Sequence, residues 1–159
     1  MNPEISQNCL PLEMLARTGV LLGRVGIAVK METMDRFEEA GFSAYHYGVL
    51  ALLDESARET QATIADALGV DRSMLVGLLD QLEERGMIER RRDPNDRRRQ
   101  MVNLTPAGRR QLGEFRKMVQ KIEDEFLAPL DEDERATLHD LLLRVAARRD
   151  SRFVPAQTV

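Results

Sequence analysis

TQATIADALGVDRSMLVGLLDQLEERGMIERRRDPNDRRRQMVNLTP, residues 60–106, contains the changes of rhythm that decide the fold. From Thr60 onward, Ile64, Ala65 and Leu68 recur at helical spacing, which predicts a helix over about 61–68. Thr60 is a side chain that caps a helix start, and Gly69 admits the left-handed turn that ends one. Asp71 caps a second helix, about 72–85, with Leu75, Leu78, Leu79 and Leu82 as its apolar stripe and Gly86 as its terminator. Beyond Gly86 the period shortens. Met87–Arg92 and Gln100–Leu104 alternate like strands around Asp93-Pro94-Asn95-Asp96, a strong turn signal. Helix, turn, helix and then a hairpin with a cationic tip predict a winged helix-turn-helix, an architecture that presents its second helix to a DNA groove.

The flanks read as helices. Residues 1–11 form a loose arm ending at Pro11. One helix is expected over about 12–40, carrying Leu15, Leu22, Val25, Val29, Met31, Met34 and Phe37, and Gly41 stops it. Ser43 caps the next, about 43–56, with Val49, Leu50, Leu52 and Leu53 inward. Thr105-Pro106 opens a helix that runs to about 127. Pro129 and Asp131 break it and start another, about 132–149, striped by Leu138, Leu141, Leu142 and Val145. The tail from Asp150 is expected to fray. The expected fold is therefore mostly α with a small β-hairpin wing. Residues 1–40 form the N-terminal arm and a linking helix, 41–105 the winged module, and 106–159 the C-terminal helices and tail.

The 159 residues are 43% hydrophobic but only 4% aromatic, with no Trp, so aliphatic side chains must fill the core. No apolar run reaches the roughly 18 residues that a membrane-spanning helix needs. The N-terminus lacks the pattern of a secretory signal, and a single cysteine, Cys9, suits a reducing cytoplasm. The net charge of −4 hides an asymmetry. Residues 71–110 hold ten arginines against seven acids, net +3, and the remainder holds 13 basic and 20 acidic residues, net −7. An acidic body with one basic edge orients a protein on a polyanion.

On the 72–85 helix the exposed N-terminal residues would be Arg72, Ser73, Met74 and Val76. Arginine matches the guanine edge, a serine hydroxyl a base or phosphate, and an apolar side chain the thymine methyl. The competing reading is an ordinary solvated helix face. The hairpin tips the balance toward DNA, because Arg97, Arg98 and Arg99 follow its turn directly and Arg90 lies on its first strand. Successive strand residues point to opposite faces, so one of the three is expected in the minor groove, one on phosphate and one paired with an acid.

LLDQLEERGMIERRRDPNDRRRQMVNLTPAGR, with its order of helix, Gly, hydrophobic pair, arginines, D-P-x-D-x-R and L-T-x-x-G, resembles the winged module of the MarR family, the multiple-antibiotic-resistance regulators. The resemblance extends over about residues 12–148. It implies a homodimer on a pseudo-palindromic promoter site, most often a repressor, released by a small phenolic or lipophilic ligand. It places the base-reading helix at Asp71–Arg85 and the wing at Arg90–Gln100. It also implies an internal salt bridge between Asp71 and Arg98, which leaves Arg97 or Arg99 for the minor groove, with Arg97 favoured by its nearness to the tip. Ligand walls fall on the first helix, the start of the second and the fifth. Arg17, Tyr45, His46, Tyr47 and Phe115 are the candidate contacts, with Met14 and Met34 beside them. The plainer alternative keeps Tyr47 in the core and His46 in solvent.

Dimerisation has a separate argument. The long striped helices exceed what a compact winged module needs, and their apolar faces require either a partner or an intrachain core. The expected seam is Leu138, Leu141, Leu142 and Val145, with Leu10, Leu12 and Leu15 from the partner's N-terminus. Some relatives sense peroxide through a cysteine in the first helix, but Cys9 precedes that helix, which has no Tyr, so redox sensing is not expected. His46 and His139 are the only histidines and lack partners at metal-ligand spacing, so neither a metal nor a cofactor is expected. No nucleophile–base arrangement or phosphate-cradling loop points to an enzyme. A winged helix that binds a protein partner is the remaining alternative.

Overall fold

Helices occupy most of the chain, in the order α1 (Leu12–Leu15), α2 (Thr18–Glu39), α3 (Ala44–Glu55), β1 (Glu59–Thr60), α4 (Gln61–Leu68), α5 (Arg72–Glu84), β2 (Ile88–Arg92), β3 (Gln100–Leu104), α6 (Pro106–Phe126) and α7 (Glu132–Arg149), followed by a 3₁₀ turn, Ser151–Phe153. The computed structural model describes residues 10–55, 59–92 and 100–154. The N-terminal arm with Cys9 and the wing tip with Arg97, Arg98 and Arg99 lie outside the described residues.

The local signals act as expected. Thr60, Asp71, Thr105 and Asp131 each accept a backbone N–H at the start of α4, α5, α6 and α7. Gly69 closes α4 at φ +64°, and Gly86 follows α5 at φ +68°. Leu75, Leu79 and Leu82 of α5 are almost wholly buried, each a gain of roughly 1.5–3 kcal/mol. They meet Val49, Leu50 and Leu53 of α3, Ile64 of α4, Ile88 and Val102 of the sheet, and Leu112 of α6 in one core. Phe115 joins α6 to that core. Its ring centroid lies 5.0 Å from Phe37, 4.9 Å from Phe42 and 6.4 Å from Tyr47.

Three expectations need correction. The helix over 12–40 is two helices, because Arg17 adopts an extended φ of −101° and ψ of 106° between them. Leu12 and Leu15 are exposed and Thr18-Gly19 forms helix weakly, so no packing enforces continuity there. The hairpin gains a third strand. β1 pairs antiparallel with β3, Glu59 opposite Val102 and Thr60 opposite Met101, giving the order β1-β3-β2. Two residues carry no alternation, so only tertiary pairing defines this strand. The first residues after α7 are folded rather than frayed: Asp150 accepts the Arg152 amide and caps the 3₁₀ turn, while residues 155–159 lie outside the described residues.

The winged module and α6 are joined backbone to backbone. Thr105 donates its amide to the Met87 carbonyl at 3.1 Å and its hydroxyl to the Gly86 carbonyl at 2.7 Å. A Cβ on Gly108 would lie 2.1 Å from the Met87 carbonyl oxygen. Only glycine lets the first turn of α6 sit against that backbone. α6 leaves the module from this point. At its far end Arg135 donates to the carbonyls of Leu127 and Leu130, both at 3.1 Å, and to Asp124 at 3.0 Å, setting the corner into α7.

Candidate nucleic-acid interface and an adjoining cleft

The N-terminal end of α5 stands clear of the core. Arg72 and Ser73 are exposed, and Met74 and Val76 keep 38% and 41% of their surface, while Leu75 between them is buried. The 3.6-residue period thus sets the four expected reading residues outward on one end of a helix anchored by its opposite face. Asp71 takes the Met74 amide at 2.9 Å and the Ser73 hydroxyl on the same oxygen, Oδ1. The Ser73 hydroxyl first, and the Met74 amide with it, hold the Asp71 carboxyl below its usual range, so it is ionised while it caps the helix. Arg98, the expected partner of Asp71, lies outside the described residues.

Sequence reading placed Arg90 among the DNA contacts. The structure places it inside a clamp. Its Nε donates to Glu83 Oε2 at 2.8 Å, its Nη2 to Asp80 Oδ1 at 2.6 Å and to Glu83 Oε2 at 2.5 Å, and its amide donates to Glu83 Oε1 at 3.0 Å. Hydrogen bonding to Glu83 is the main reason its pKa is raised, and the same bonds lower that of Glu83. Arg90 therefore ties β2 to the second half of α5 and fixes the base of the hairpin against that helix. This pairing of a strand arginine with two acids of α5 was not expected from sequence. Arg91 is exposed and meets Glu89 at 2.9 Å, and Arg92 is exposed at the end of β2.

A cleft of about 560 Å³ opens between α2 and the start of α3, lined by Lys30, Thr33, Met34, Glu38, Phe42, Ser43, Ala44 and Tyr45. Of the expected ligand contacts, Tyr45 lines it, with Met34 opposite. Phe115 is fully buried, Tyr47 is half-buried against it, and Arg17 stands at the α1–α2 break; none of these three lines the cleft. Lys30, Thr33 and Glu38 were not singled out from sequence, because on a long polar helix nothing local separates a cleft-facing residue from a solvated one.

His46 is buried rather than solvated, at 3% exposure. Its Nδ1 accepts the Ser43 amide at 2.9 Å, one arm of a capping box with histidine in the place of the usual Glu or Gln. The neutral ring then carries its proton on Nε2, which has no partner among the described residues. Burial foremost, then the Arg85 guanidinium, holds the pKa below the ordinary histidine value, and the nearby Gln81 side chain acts the other way without satisfying Nε2. A lowered folded-state pKa means that this residue's stabilisation is complete above about pH 6.5 and is lost as pH falls toward the folded value. Stability measured by denaturation should therefore decline as pH falls below about 6.5. H46Q, which keeps a capping side chain without the charge change, should flatten that decline. An unchanged slope would assign it to other groups.

Comparison with known proteins covers the same module. A family model described as MarR family matches residues 42–99. A putative transcriptional regulatory protein for the hcr operon of Thauera aromatica is 39% identical over 105 residues, 66% of this chain and 63% of that protein. The HTH-type transcriptional regulator YdgJ of Bacillus subtilis is 32% identical over 119 residues, 75% of this chain and 70% of that protein. Among solved structures, a mutant of E. coli MarR complexed with operator DNA superposes with a TM-score of 0.67 at 28% identity, covering 86% of this chain and 99% of that one. The Streptomyces coelicolor regulator PcaV in complex with its natural ligand gives 0.68 at 29% identity, covering 91% and 100%.

Proposed function

The chain belongs to the MarR family of transcriptional regulators, and from that premise we propose that it is a homodimeric repressor released from a pseudo-palindromic operator by a small phenolic or lipophilic ligand. The observation that carries this reading is the outward-facing end of α5, Arg72, Ser73, Met74 and Val76, beside a hairpin braced to the same helix through Arg90. Arg72 and Ser73 are the polar base readers and Met74 and Val76 the apolar ones. The arginines at 97–99 supply phosphate and minor-groove contacts.

Dimerisation is supported by what a single chain leaves uncovered. Among the described residues, α1 and α7 bury none and α2 buries only Phe37. Leu12, Leu15, Leu141, Leu142 and Val145 keep 40–84% of their surface, while Leu10 and Leu138 are half-buried. A two-fold axis across these faces would set two reading helices about one DNA turn apart. The cleft supports ligand control. Met34, Phe42 and Ala44 give it apolar walls, and Lys30, Ser43 and Tyr45 give it partners for a phenolate or carboxylate. A ligand that fits better when α2 and α3 separate differently shifts the population away from the operator-matching spacing.

Selection of random duplex DNA at near-physiological salt, followed by sequencing, tests the reading. Enrichment of an inverted repeat with half-sites about one turn apart is expected. Loss of selectivity, with only weak salt-dependent binding, would point instead to a winged module that serves a protein partner. R97A should weaken binding to all sequences and reduce the salt slope by about one unit, whereas R72A should relax preference at one base pair. Equal affinity and slope in R97A would remove the wing from the interface.

A further inference from the structure

The chain's C-terminal segment reaches the turn of the helix-turn-helix. An ideal Cβ on Gly69 would lie 1.9 Å from Arg152 Nη1 and 3.0 Å from its Cζ, so the guanidinium rests directly on the glycine backbone. Gly69 ends α4 in the left-handed conformation and stands two residues before Asp71, the cap of the reading helix. Arg152 is held for this contact from its own side. Its single Nε–H is shared between the two Asp150 carboxylate oxygens, at 3.0 Å and 2.9 Å, its Nη2 donates to Oδ2 at 2.5 Å, and its amide donates to Asp150 Oδ1 at 3.0 Å. Both carboxylate oxygens are thereby taken up by one planar fork, which leaves Nη1 toward Gly69. The pair persists in moderate acid, because hydrogen bonding to Arg152 lowers the Asp150 pKa to about 2.

We propose that Arg152, oriented by Asp150, is a positioning residue of the DNA-reading head: it packs on the Gly69 turn and ties the end of α7 to the start of α5. Two features make the contact specific. Gly69 has no side chain to block the guanidinium, and any L-residue there would have both to adopt φ +64° and to displace Arg152. Asp150 is at once the residue that ends α7 and the cap of the 3₁₀ turn, so a shift in α7 moves Arg152 with it. The uncovered apolar helix and the reading helix are then joined by a second route besides α6. Asp150 neutralises the guanidinium locally, which separates this role from that of a phosphate-binding arginine.

The inference rests on the DNA-reading function proposed above, and its test has one arm free of DNA. In thermal melts of the full chain, G69N keeps a residue that tolerates the left-handed region but evicts the guanidinium. The Tm loss caused by G69N should be several degrees smaller in an R152A background than in the wild type. Additive losses would overturn the contact itself. In the second arm, operator affinity of R152A should fall about three- to tenfold with an unchanged salt slope, and R152K should not rescue it, since an ammonium cannot fork onto Asp150. A slope reduced by about one unit would make Arg152 a phosphate contact, and unchanged affinity would make it a bystander; either result overturns the proposal. If the wild type binds no operator, the function fails while the melts still decide whether α7 is tied to the turn.

Discussion

G108A should cost the protein about 3 kcal/mol or more. The new Cβ would sit 2.1 Å from the Met87 carbonyl oxygen and 2.6 Å from Leu104 Cδ1. The leucine tip can turn aside, but the carbonyl cannot, because it also receives the Thr105 amide at 3.1 Å and shares the Thr105 hydroxyl with the Gly86 carbonyl. Relief requires α6 to lift from the winged module, and Leu112 and Phe115 leave the core with it. At about 2–4 °C per kcal/mol for a chain of this size, the melting temperature should drop by roughly 6–12 °C at equal protein concentration. G113A supplies the control. It lies on the same helix with no atom within 4 Å of its ideal Cβ, so alanine there should stabilise by up to about 1 kcal/mol through helix propensity. Similar effects at the two positions would show that the close approach at Gly108 is not formed.

R90A should remove the brace between wing and reading helix. Three charge-assisted side-chain bonds are lost, each worth about 1.5–3 kcal/mol in a buried setting. Asp80 and Glu83 keep 49% and 37% of their side-chain surface, so water takes over much of the interaction and the net loss should be about 2 kcal/mol. R91A, at an exposed arginine one position along, should change stability by less than about 0.5 kcal/mol. Operator affinity should respond more strongly than stability. With β2 released from α5 the wing loses its fixed angle, and about a tenfold loss or more is expected at an unchanged salt slope. R90K should recover little, because one ammonium cannot reproduce the forked geometry across two carboxylates. A slope lowered by about one unit would return Arg90 to the DNA surface, where its residue type alone had placed it.

That contrast marks the boundary between local and tertiary information. The sequence by itself determined the helices of the module and their ends, because the signals are local. Thr60 and Asp71 cap because their short polar side chains reach amides three residues on, and Gly69 and Gly86 stop helices because they enter the left-handed region without strain. The buried face of α5 followed from the spacing of Leu75, Leu78, Leu79 and Leu82, and the outward face of Arg72, Ser73, Met74 and Val76 followed with it. Tertiary structure alone decided what depends on neighbours distant in sequence. It broke the first helix at Arg17 where packing was missing, paired β1 with β3, and buried His46 beneath Phe42, which Arg85 covers at 4.3 Å. It also sorted the arginines. Charge alone gives each the same reach toward DNA, but Arg90 faces two acids on α5 and Arg152 rests on a bare glycine turn, and both positions are set by the packing of one element against another.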